Sequence, residues 1–366
     1  MADTIADHIH DINSGNDDVG NLVFKEDGSV AYVPSGESIP VGSTAVVTDL
    51  SKTGYAAEGG VPSSFPSLED MYAAGGAFER SLLRGKSVFV VGVGSVGSAV
   101  ADCLVREGLG RLVVMDMDRV ELHNLSRLYV AGVPDVGRFK VDVMEEYVRH
   151  RNPYAEVVKY PLDAREHRDL LAEEMRKADL VICATDGNES RYVINTVAVE
   201  MGKTVIYPRA ETRAEGLNLF IQRPGGACYN CFIGQGGHIE EEITNEASAR
   251  ANGTIPSYTS AEDAGVMVQI GLPCDIAPLV TMTVKLALVE LARGMEGTGI
   301  ETVSEELAPF NLFIWVNHRD RKYAKFPPFS EPGHGPRILR WYGCLVPPKK
   351  HCCTCGEEEP FEPFNG

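Results

Sequence analysis

Residues 88–97, VFVVGVGSVG, carry an apolar run directly into glycines at Gly92, Gly94 and Gly97. Between a strand and a helix, a glycine turn of this spacing lets backbone N–H groups approach phosphate oxygens, and the helix dipole adds attraction. Asp116 ends the next apolar run about 20 residues later, where an acid would bind ribose hydroxyls. These residues predict a bound nucleotide and leave open whether it is a dinucleotide or ATP.

The segment that begins at Asp116, DMDRVELHNLSRLYVAGVPDVGRFK, distinguishes the two ligands. It adds a second acid, an amide and two cations, at Asp118, Asn124, Arg127 and Lys140. A dehydrogenase has no need for these groups beside its ribose acid. A triphosphate does, because cations must offset the charge that builds as a phosphorus is attacked. The segment therefore favours an enzyme that uses ATP.

Asp186, in ATDGNESR, follows a further apolar run and is predicted at the carboxyl end of a strand. In an open α/β sheet that edge faces the ligand crevice, and a carboxylate there can hold the Mg²⁺ that accompanies ATP. Taken singly, Arg127 or Lys140 could be a surface charge, and an acid after a strand could cap a helix. Five such residues in this order are improbable by chance.

Two cysteine pairs share a two-residue gap, Cys228 with Cys231 in CYNC and Cys352 with Cys355 in CCTCG. Four thiolates suit tetrahedral Zn²⁺ and leave no open position, so the predicted role is structural. Cys353 offers an alternative ligand to Cys352, with altered spacing. Reduced thiols without a metal are the competing interpretation.

Cys274 follows Pro273 and precedes the apolar stretch DIAPLVTMTVKLAL. It is therefore predicted at the N-terminus of a long helix, a position that favours the thiolate. The polar, glycine-rich stretch before it, about residues 235–274, is interpreted as a mobile crossing loop. Cys274 is either a reactive thiolate or a buried thiol near the turn, whereas Cys103 and Cys183 are expected to be inert core residues.

The elements that must position these residues alternate strand and helix from residue 67 onwards, and later become antiparallel strand material. The prediction is an α/β fold: an open, mostly parallel, Rossmann-like sheet with helices on both faces and an antiparallel extension. Residues 67–356 are taken as this domain. Residues 1–66 are taken as an extension with a hairpin around Asp27-Gly28, and residues 357–366 as a disordered tail.

Composition excludes several classes of function. The chain has 366 residues with 34 Lys and Arg against 52 Asp and Glu, a net charge of −18. This charge opposes sequence-independent binding to nucleic acid or to an anionic membrane surface. No apolar run approaches the roughly 20 residues that span a bilayer. The acidic N-terminus reads as neither a secretory signal nor a transit peptide, so a cytoplasmic location is expected.

The order GxGxxG, DxDxVxxxNLxR, VGxxK and TD resembles the ThiF/MoeB/HesA family, relatives of the ubiquitin-activating enzymes, over roughly residues 78–356. The resemblance implies ATP-dependent adenylation of the C-terminal glycine of a ubiquitin-like or sulfur-carrier protein. Asp116 would then bind the ribose, Asp186 would hold Mg²⁺, and the groups around the phosphates would be Asn124, Arg127 and Lys140. The resemblance also implies the cysteine-bound zinc and a thioester step at Cys274.

The same resemblance implies a homodimer in which each subunit lends an arginine to its partner's ATP, with Arg80 and Arg84 as candidates; the alternative is that both are surface charges at a helix end. The activated protein could pass to a conjugating enzyme, or supply sulfur for thiamin, molybdenum cofactor or tRNA. Two rival hypotheses remain at this point. One is an NAD-dependent oxidoreductase, which rests on the glycine turn and Asp116. The other is a scaffold that has kept the fold and lost catalysis.

Overall fold

The computed structural model describes short strands between residues 20 and 62, and residues 81–211, 214, 216–234, 272–317 and 338–356. Arg80, most of the predicted crossing loop and the tail 357–366 lie outside these residues. The chain divides into two compact units, Met1–Gly75 and Gly76–Gly366, and each is described by itself.

In the first unit, β1 (Gly20–Lys25), β2 (Val30–Pro34) and β3 (Ser43–Thr48) form an antiparallel sheet in the order β2-β1-β3. Its β1–β2 pair places Phe24 opposite Val30 on either side of Asp27-Gly28, which is the predicted hairpin. A separate antiparallel pair consists of β4 (Ala57–Glu58) and β5 (Val61–Pro62).

The described residues of the second unit form an eight-stranded sheet in the order β13-β12-β11-β10-β9-β6-β7-β8. Its strands are β6 (Ser87–Val91), β7 (Arg111–Met115), β8 (Glu156–Tyr160), β9 (Leu180–Cys183), β10 (Val205–Ala210), β11 (Gly216–Gln222), β12 (Leu312–Val316) and β13 (Trp341–Cys344). The strands from β10 to β8 are parallel. From β10 to β13 the pairing is antiparallel. The predicted mostly parallel sheet with an antiparallel extension is confirmed.

Helices cover both faces of this sheet. They are α1 (Ser81–Arg84), α2 (Ser95–Arg106), α3 (Lys140–Arg151), α4 (Arg168–Lys177), α5 (Asn188–Met201), α6 (Tyr229–Ile233), α7 (Pro273–Leu291) and α8 (Glu301–Leu307). Because side chains alternate along a strand, Val88 and Val90 of β6 pack with α2, α3 and α7. Phe89 and Val91 face the opposite core, with α4, α5 and α6.

Three helices, α4, α6 and α8, are absent from the sequence prediction. Antiparallel strand material was expected over GLNLFIQRPGGACYNCF, but β11 ends at Gln222 and Tyr229–Ile233 is the short helix α6. A turn through Gly225, whose φ is +72°, separates the two. Helix α4 was not predicted, because it is short and buries only Leu171, Glu174 and Met175. Three buried positions give too little apolar periodicity to indicate a helix from the sequence.

Candidate nucleotide site and cysteine cluster

The glycine turn after β6 is built by close packing. Gly92 has a φ of +92°, and a Cβ there would lie 2.7 Å from the carbonyl carbon of Ala184. At Gly97, a Cβ would lie 1.9 Å from the Gly92 oxygen, so helix α2 rests directly on the turn. Gly94 is different, because no atom of the described residues lies within 4 Å of its ideal Cβ position, apart from its own chain neighbours and helix backbone. Open space therefore faces Gly94 and the N-terminus of α2, where a phosphate would be held.

Three parallel strands bring their carboxyl ends to this turn. The Gly92 N–H donates to the Met115 oxygen at the end of β7, over 2.8 Å. The Ala184 N–H, just beyond β9, donates to the Val91 oxygen of β6, also over 2.8 Å. Residues that follow β6, β7 and β9 thus share one edge of the sheet. We call this edge, which continues to the end of β10, the carboxyl edge.

The Asp116 side chain faces the glycine turn and also accepts a hydrogen bond from its backbone. Its Oδ2 accepts the Val93 N–H at 2.6 Å, and its Oδ1 accepts the Asp118 N–H at 2.8 Å. Burial raises the pKa of Asp116, against the opposing effects of the Lys140 charge and of these two backbone donors. A carboxylate has about four lone-pair positions, so both oxygens can still accept ribose hydroxyls.

Lys140 and Asp118 form an ion pair at the same edge. Lys140 Nζ lies 2.7 Å from Asp118 Oδ2, and the Lys140 N–H donates to the Asp118 backbone oxygen at 3.0 Å. Lys140 is 9% exposed, whereas about half of the Asp118 side chain is exposed. The first residue of α3 is thereby held against the segment that follows β7, which places a buried cation at the carboxyl edge.

Asn124 and Arg127 differ in how they are engaged. Asn124 is buried in the 3-10 turn Leu122–Ser126, where its Oδ1 accepts the Glu121 N–H at 3.2 Å and caps the turn. Arg127 ends that turn and is half-buried, and within the described residues its guanidinium has no hydrogen-bond or ion-pair partner. Asn124 thus has a structural role that the sequence did not reveal, and Arg127 has no such role among the described residues.

Asp186 lies in the turn between β9 and α5 and is exposed. Its carboxylate has no partner within the described part of the chain. Because β9 is parallel to β6 and adjacent to it, Asp186 stands at the carboxyl edge beside the glycine turn. The sequence placed it there correctly, but attached no role to Arg191, which is buried in the same motif.

Cys274 is the second residue of α7 and is exposed, so the predicted helix N-terminus is confirmed and the buried-thiol alternative is wrong. The buried Asn317 donates from Nδ2 to the Asp275 oxygen at 3.2 Å and to the Ala214 oxygen. Ala214 lies in the connection that leaves the end of β10. The N-terminus of α7 therefore stands at the carboxyl edge, as Asp186 does.

Arg84 ends α1, just before β6 begins. It therefore lies at the amino edge of the sheet, away from the glycine turn of its own chain. This placement is compatible with a role in a partner's site, which stays a prediction. Of the other cysteines, Cys183 is buried in β9 as expected, and Cys103 of α2 is half-buried.

The four predicted zinc ligands come together from distant parts of the chain. The Sγ–Sγ distances are 3.9 Å for Cys228–Cys231, 3.5 Å for Cys228–Cys352 and 3.4 Å for Cys231–Cys355. All four sulfurs lie within 4.8 Å of one another. Zn–S bonds of ~2.3 Å in a tetrahedron separate the sulfurs by roughly 3.8 Å. The donor set therefore fits zinc.

Cys353 stands outside this cluster. It is exposed, and its sulfur accepts a hydrogen bond from Asn230 Nδ2 at 3.4 Å. The Lys349 N–H points to the Cys231 sulfur at 3.3 Å, as a backbone donor to a thiolate would. Cys352, not Cys353, completes the set.

No helix among the described residues is long and apolar enough to cross a membrane.

Comparison with known proteins gives a consistent result. Residues 70–326 match the ThiF family. A sulfur carrier protein adenylyltransferase of Thermus thermophilus is 33% identical over 200 residues, 52% of this chain and 72% of the relative. Ubiquitin-like modifier-activating enzyme 5 of Rattus norvegicus is 32% identical over 200 residues, 51% of this chain and 49% of the relative.

The adenylyltransferase and sulfurtransferase uba4 of Aspergillus niger is 31% identical over 199 residues, 48% of this chain but 40% of the relative. This chain thus spans less than half the length of the last two relatives. Among solved structures, Escherichia coli MccB superposes with a TM-score of 0.51 at 17% identity, over 78% of this chain and 69% of that one. At that identity the likeness concerns the fold alone. These matches lend no support to the dehydrogenase interpretation.

Proposed function

Because this chain belongs to the ThiF family, we propose that it is an adenylyltransferase that activates the C-terminal carboxylate of a ubiquitin-like or sulfur-carrier protein. One observation carries the proposal. At the carboxyl edge, an open glycine turn lies beside the buried Lys140 and the exposed Asp186, and the segment after β7 adds Arg127; within the described residues the Asp186 and Arg127 side chains have no partner. These are the charges that a triphosphate and its Mg²⁺ require.

The reaction joins two anions. An oxygen of the substrate carboxylate attacks the α-phosphorus of ATP, the new C–O–P linkage forms, and the bond from that phosphorus to the bridging oxygen breaks, releasing pyrophosphate. Alignment and charge compensation supply most of the catalysis in such a transfer. Lys140 and Arg127 would compensate the phosphates, the N-terminus of α2 would receive phosphate oxygens, and Asp116 would hold the ribose. Bound Mg²⁺ would add positive charge at Asp186.

A second step at Cys274 is supported by its exposure and by its place at the carboxyl edge. The Cys274 thiolate would attack the acyl carbon of the adenylate, forming a C–S bond and releasing AMP. The relatives' names include both sulfur-carrier and ubiquitin-like activation. We favour conjugation, because the sequence carries an extension at residues 1–66 and a long stretch, about residues 235–274, that is predicted to be a crossing loop; sulfur delivery is the alternative.

The cysteine cluster is proposed to hold zinc in a structural role. Four sulfur donors close the coordination sphere, so the metal would cross-link α6 to the segment after β13 and take no part in the reaction. The resemblance further suggests a homodimer, in which an arginine from one subunit serves its partner.

Exchange of labelled pyrophosphate into ATP tests the adenylation step, with candidate glycine-ended proteins as substrates. Lys140→Ala should lower the exchange rate by about 10² to 10³, because it removes a cation from the transition state. Lys86→Ala is the matched control. Lys86 also pairs with an aspartate, Asp179, at 3.4 Å, but it immediately precedes β6, at the opposite edge of the sheet. Equal losses in the two variants would contradict the proposal.

The thioester step has its own test. Mixed with Mg-ATP and its partner protein, the wild type should form an adduct that a reducing agent releases, and Cys274→Ala should not. Cys353→Ala, which removes another exposed cysteine, is the control. An adduct that persists in Cys274→Ala would remove this residue from the mechanism and leave adenylation standing.

A further inference from the structure

Arg191 of α5 is an unusual buried cation. It is 5% exposed, and no carboxylate within the described residues pairs with its guanidinium. Its Nε is buried and has no hydrogen-bond partner there. Burying a charge costs free energy unless it is paired or well hydrogen-bonded. Packing alone would be served better by an apolar side chain, so the positive charge calls for another explanation.

Its hydrogen bonds supply one. Nη2 donates to the Thr185 backbone oxygen at 2.6 Å, and Nη1 donates to Asn188 Oδ1 at 3.2 Å. Ser190, on the same helix, reaches the same residue, with its Oγ 2.8 Å from Thr185 Oγ1. Arg191 and Ser190 thus hold Thr185, the residue immediately before Asp186, from the helix that follows the turn.

The grip on Thr185 fixes the peptide that joins it to Asp186. In a trans peptide the C=O and the following N–H point in opposite directions. Because the Thr185 C=O is directed to the buried Arg191, the Asp186 N–H faces away from the core. This backbone also touches the glycine turn, since a Cβ on Gly92 would lie 2.8 Å from the Thr185 nitrogen. The backbone of one residue, Thr185, therefore contacts the glycine turn through its nitrogen and Arg191 through its carbonyl oxygen.

We propose that Arg191 is a positioning residue that holds the Asp186 carboxylate in the orientation needed to bind Mg²⁺ with ATP. This inference rests on the proposed role of Asp186. A guanidinium suits the task because its rigid, planar donors reach Thr185 and Asn188 together, which a single ammonium does less well. Arg191 itself touches neither nucleotide nor substrate.

The test is equilibrium binding of ATP to the full-length protein, titrated with Mg²⁺ and repeated in EDTA. Mutation of a residue that orients a metal ligand typically lowers metal affinity by about 10 to 100-fold. Arg191→Gln should therefore raise the half-saturating Mg²⁺ concentration by about 10-fold or more and leave ATP binding in EDTA unchanged. Asp186→Asn should act in the same direction, and Arg191→Lys should be intermediate.

Arg165→Gln is the matched control, because Arg165 also contacts α5, through Glu189 at 2.8 Å, but is largely exposed. It should leave the Mg²⁺ titration unchanged. If Arg191→Gln folds and titrates like the wild type while Asp186→Asn is impaired, Arg191 is only structural. Should Arg191→Gln fail to fold, an unaltered Mg²⁺ titration of Arg191→Lys overturns the proposal equally. Absence of pyrophosphate exchange in the wild type would instead refute the adenylation function, and this binding experiment does not depend on it.

Discussion

Gly94 and Gly97 show, within one turn, two different reasons for a residue without a side chain. At Gly97 the space is filled by the protein itself, because helix α2 touches the backbone of Gly92. At Gly94 no atom of the described residues fills that space. One glycine therefore serves packing, and the other is proposed to leave room for a ligand.

This difference predicts opposite phenotypes for two alanine substitutions. Gly97→Ala should destabilise the protein by about 2 kcal/mol or more, because the added methyl overlaps a backbone oxygen. Gly94→Ala should leave the thermal midpoint nearly unchanged and weaken ATP binding. Thermal unfolding and equilibrium ATP binding of both variants provide the measurements. Wild-type ATP affinity in Gly94→Ala would show that phosphate does not approach this position.

Helix α7 is an element held at both ends by polar side chains from elsewhere. Asn317 meets its first turn beside Cys274. Near its other end, the buried Glu290 accepts hydrogen bonds from Arg223 and Arg293, each at 2.7 Å. Arg223 also donates to the Phe310 backbone oxygen at 3.1 Å, which ties the helix to the segment before β12. These contacts restrain the helix that presents Cys274.

The Glu290 cluster predicts a pH dependence of stability. Burial opposes ionisation of Glu290, but hydrogen bonds from the two guanidinium groups prevail and lower its pKa below 4.5. An acid with a lowered pKa in the folded state stabilises the protein above its unfolded pKa and loses that effect as the pH falls through the folded one. Glu290→Gln should thus cost about 2 kcal/mol at pH 7.

Denaturant titrations at several pH values measure this cost, with the exposed Glu305→Gln as the control. The difference between wild type and Glu290→Gln should shrink as the pH falls below 4.5. A difference that stays constant down to pH 3 would assign the stabilisation to packing and not to the charge of Glu290.

At the scale of the whole molecule, the cysteine cluster joins distant parts of the chain, since Cys228 and Cys352 are 124 positions apart in the sequence. Cross-linking residues so far apart lowers the conformational entropy of the unfolded chain. For a closed loop of about 100 residues this stabilises the folded state by roughly 4 to 5 kcal/mol. A bound metal would therefore secure the antiparallel end of the sheet to α6.

Removal of the metal is the corresponding experiment. Cys352→Ser should lose bound zinc and lower the thermal midpoint, because the fourth thiolate is absent. Cys353→Ser should retain both, since that sulfur lies outside the cluster. Metal content and thermal unfolding are measured on the same samples. Full zinc occupancy in Cys352→Ser, or its loss in Cys353→Ser, would contradict the assignment.

What the sequence determined by itself was local. The glycine spacing, the apolar runs and the residue types after them predicted a strand, a turn and a helix, with acids and cations beyond, because these patterns repeat over a few residues. The parallel sheet and the family resemblance followed from their order along the chain. The sequence did not predict helix α4, because its apolar stripe is narrow. It did not predict α6, because a glycine turn interrupts a stretch whose pattern is typical of a strand.

Only the tertiary structure decided which distant groups meet. In the fold, Cys352 and not Cys353 joins the cysteine cluster, and Cys274 is exposed. Lys140 pairs with Asp118, and Asn124 caps a turn. Arg191 is buried against the peptide before Asp186. Each outcome depends on distances between residues that different elements carry, and on whether water or protein surrounds a side chain. No pattern along the chain contains those quantities, since they arise only when strands and helices pack together.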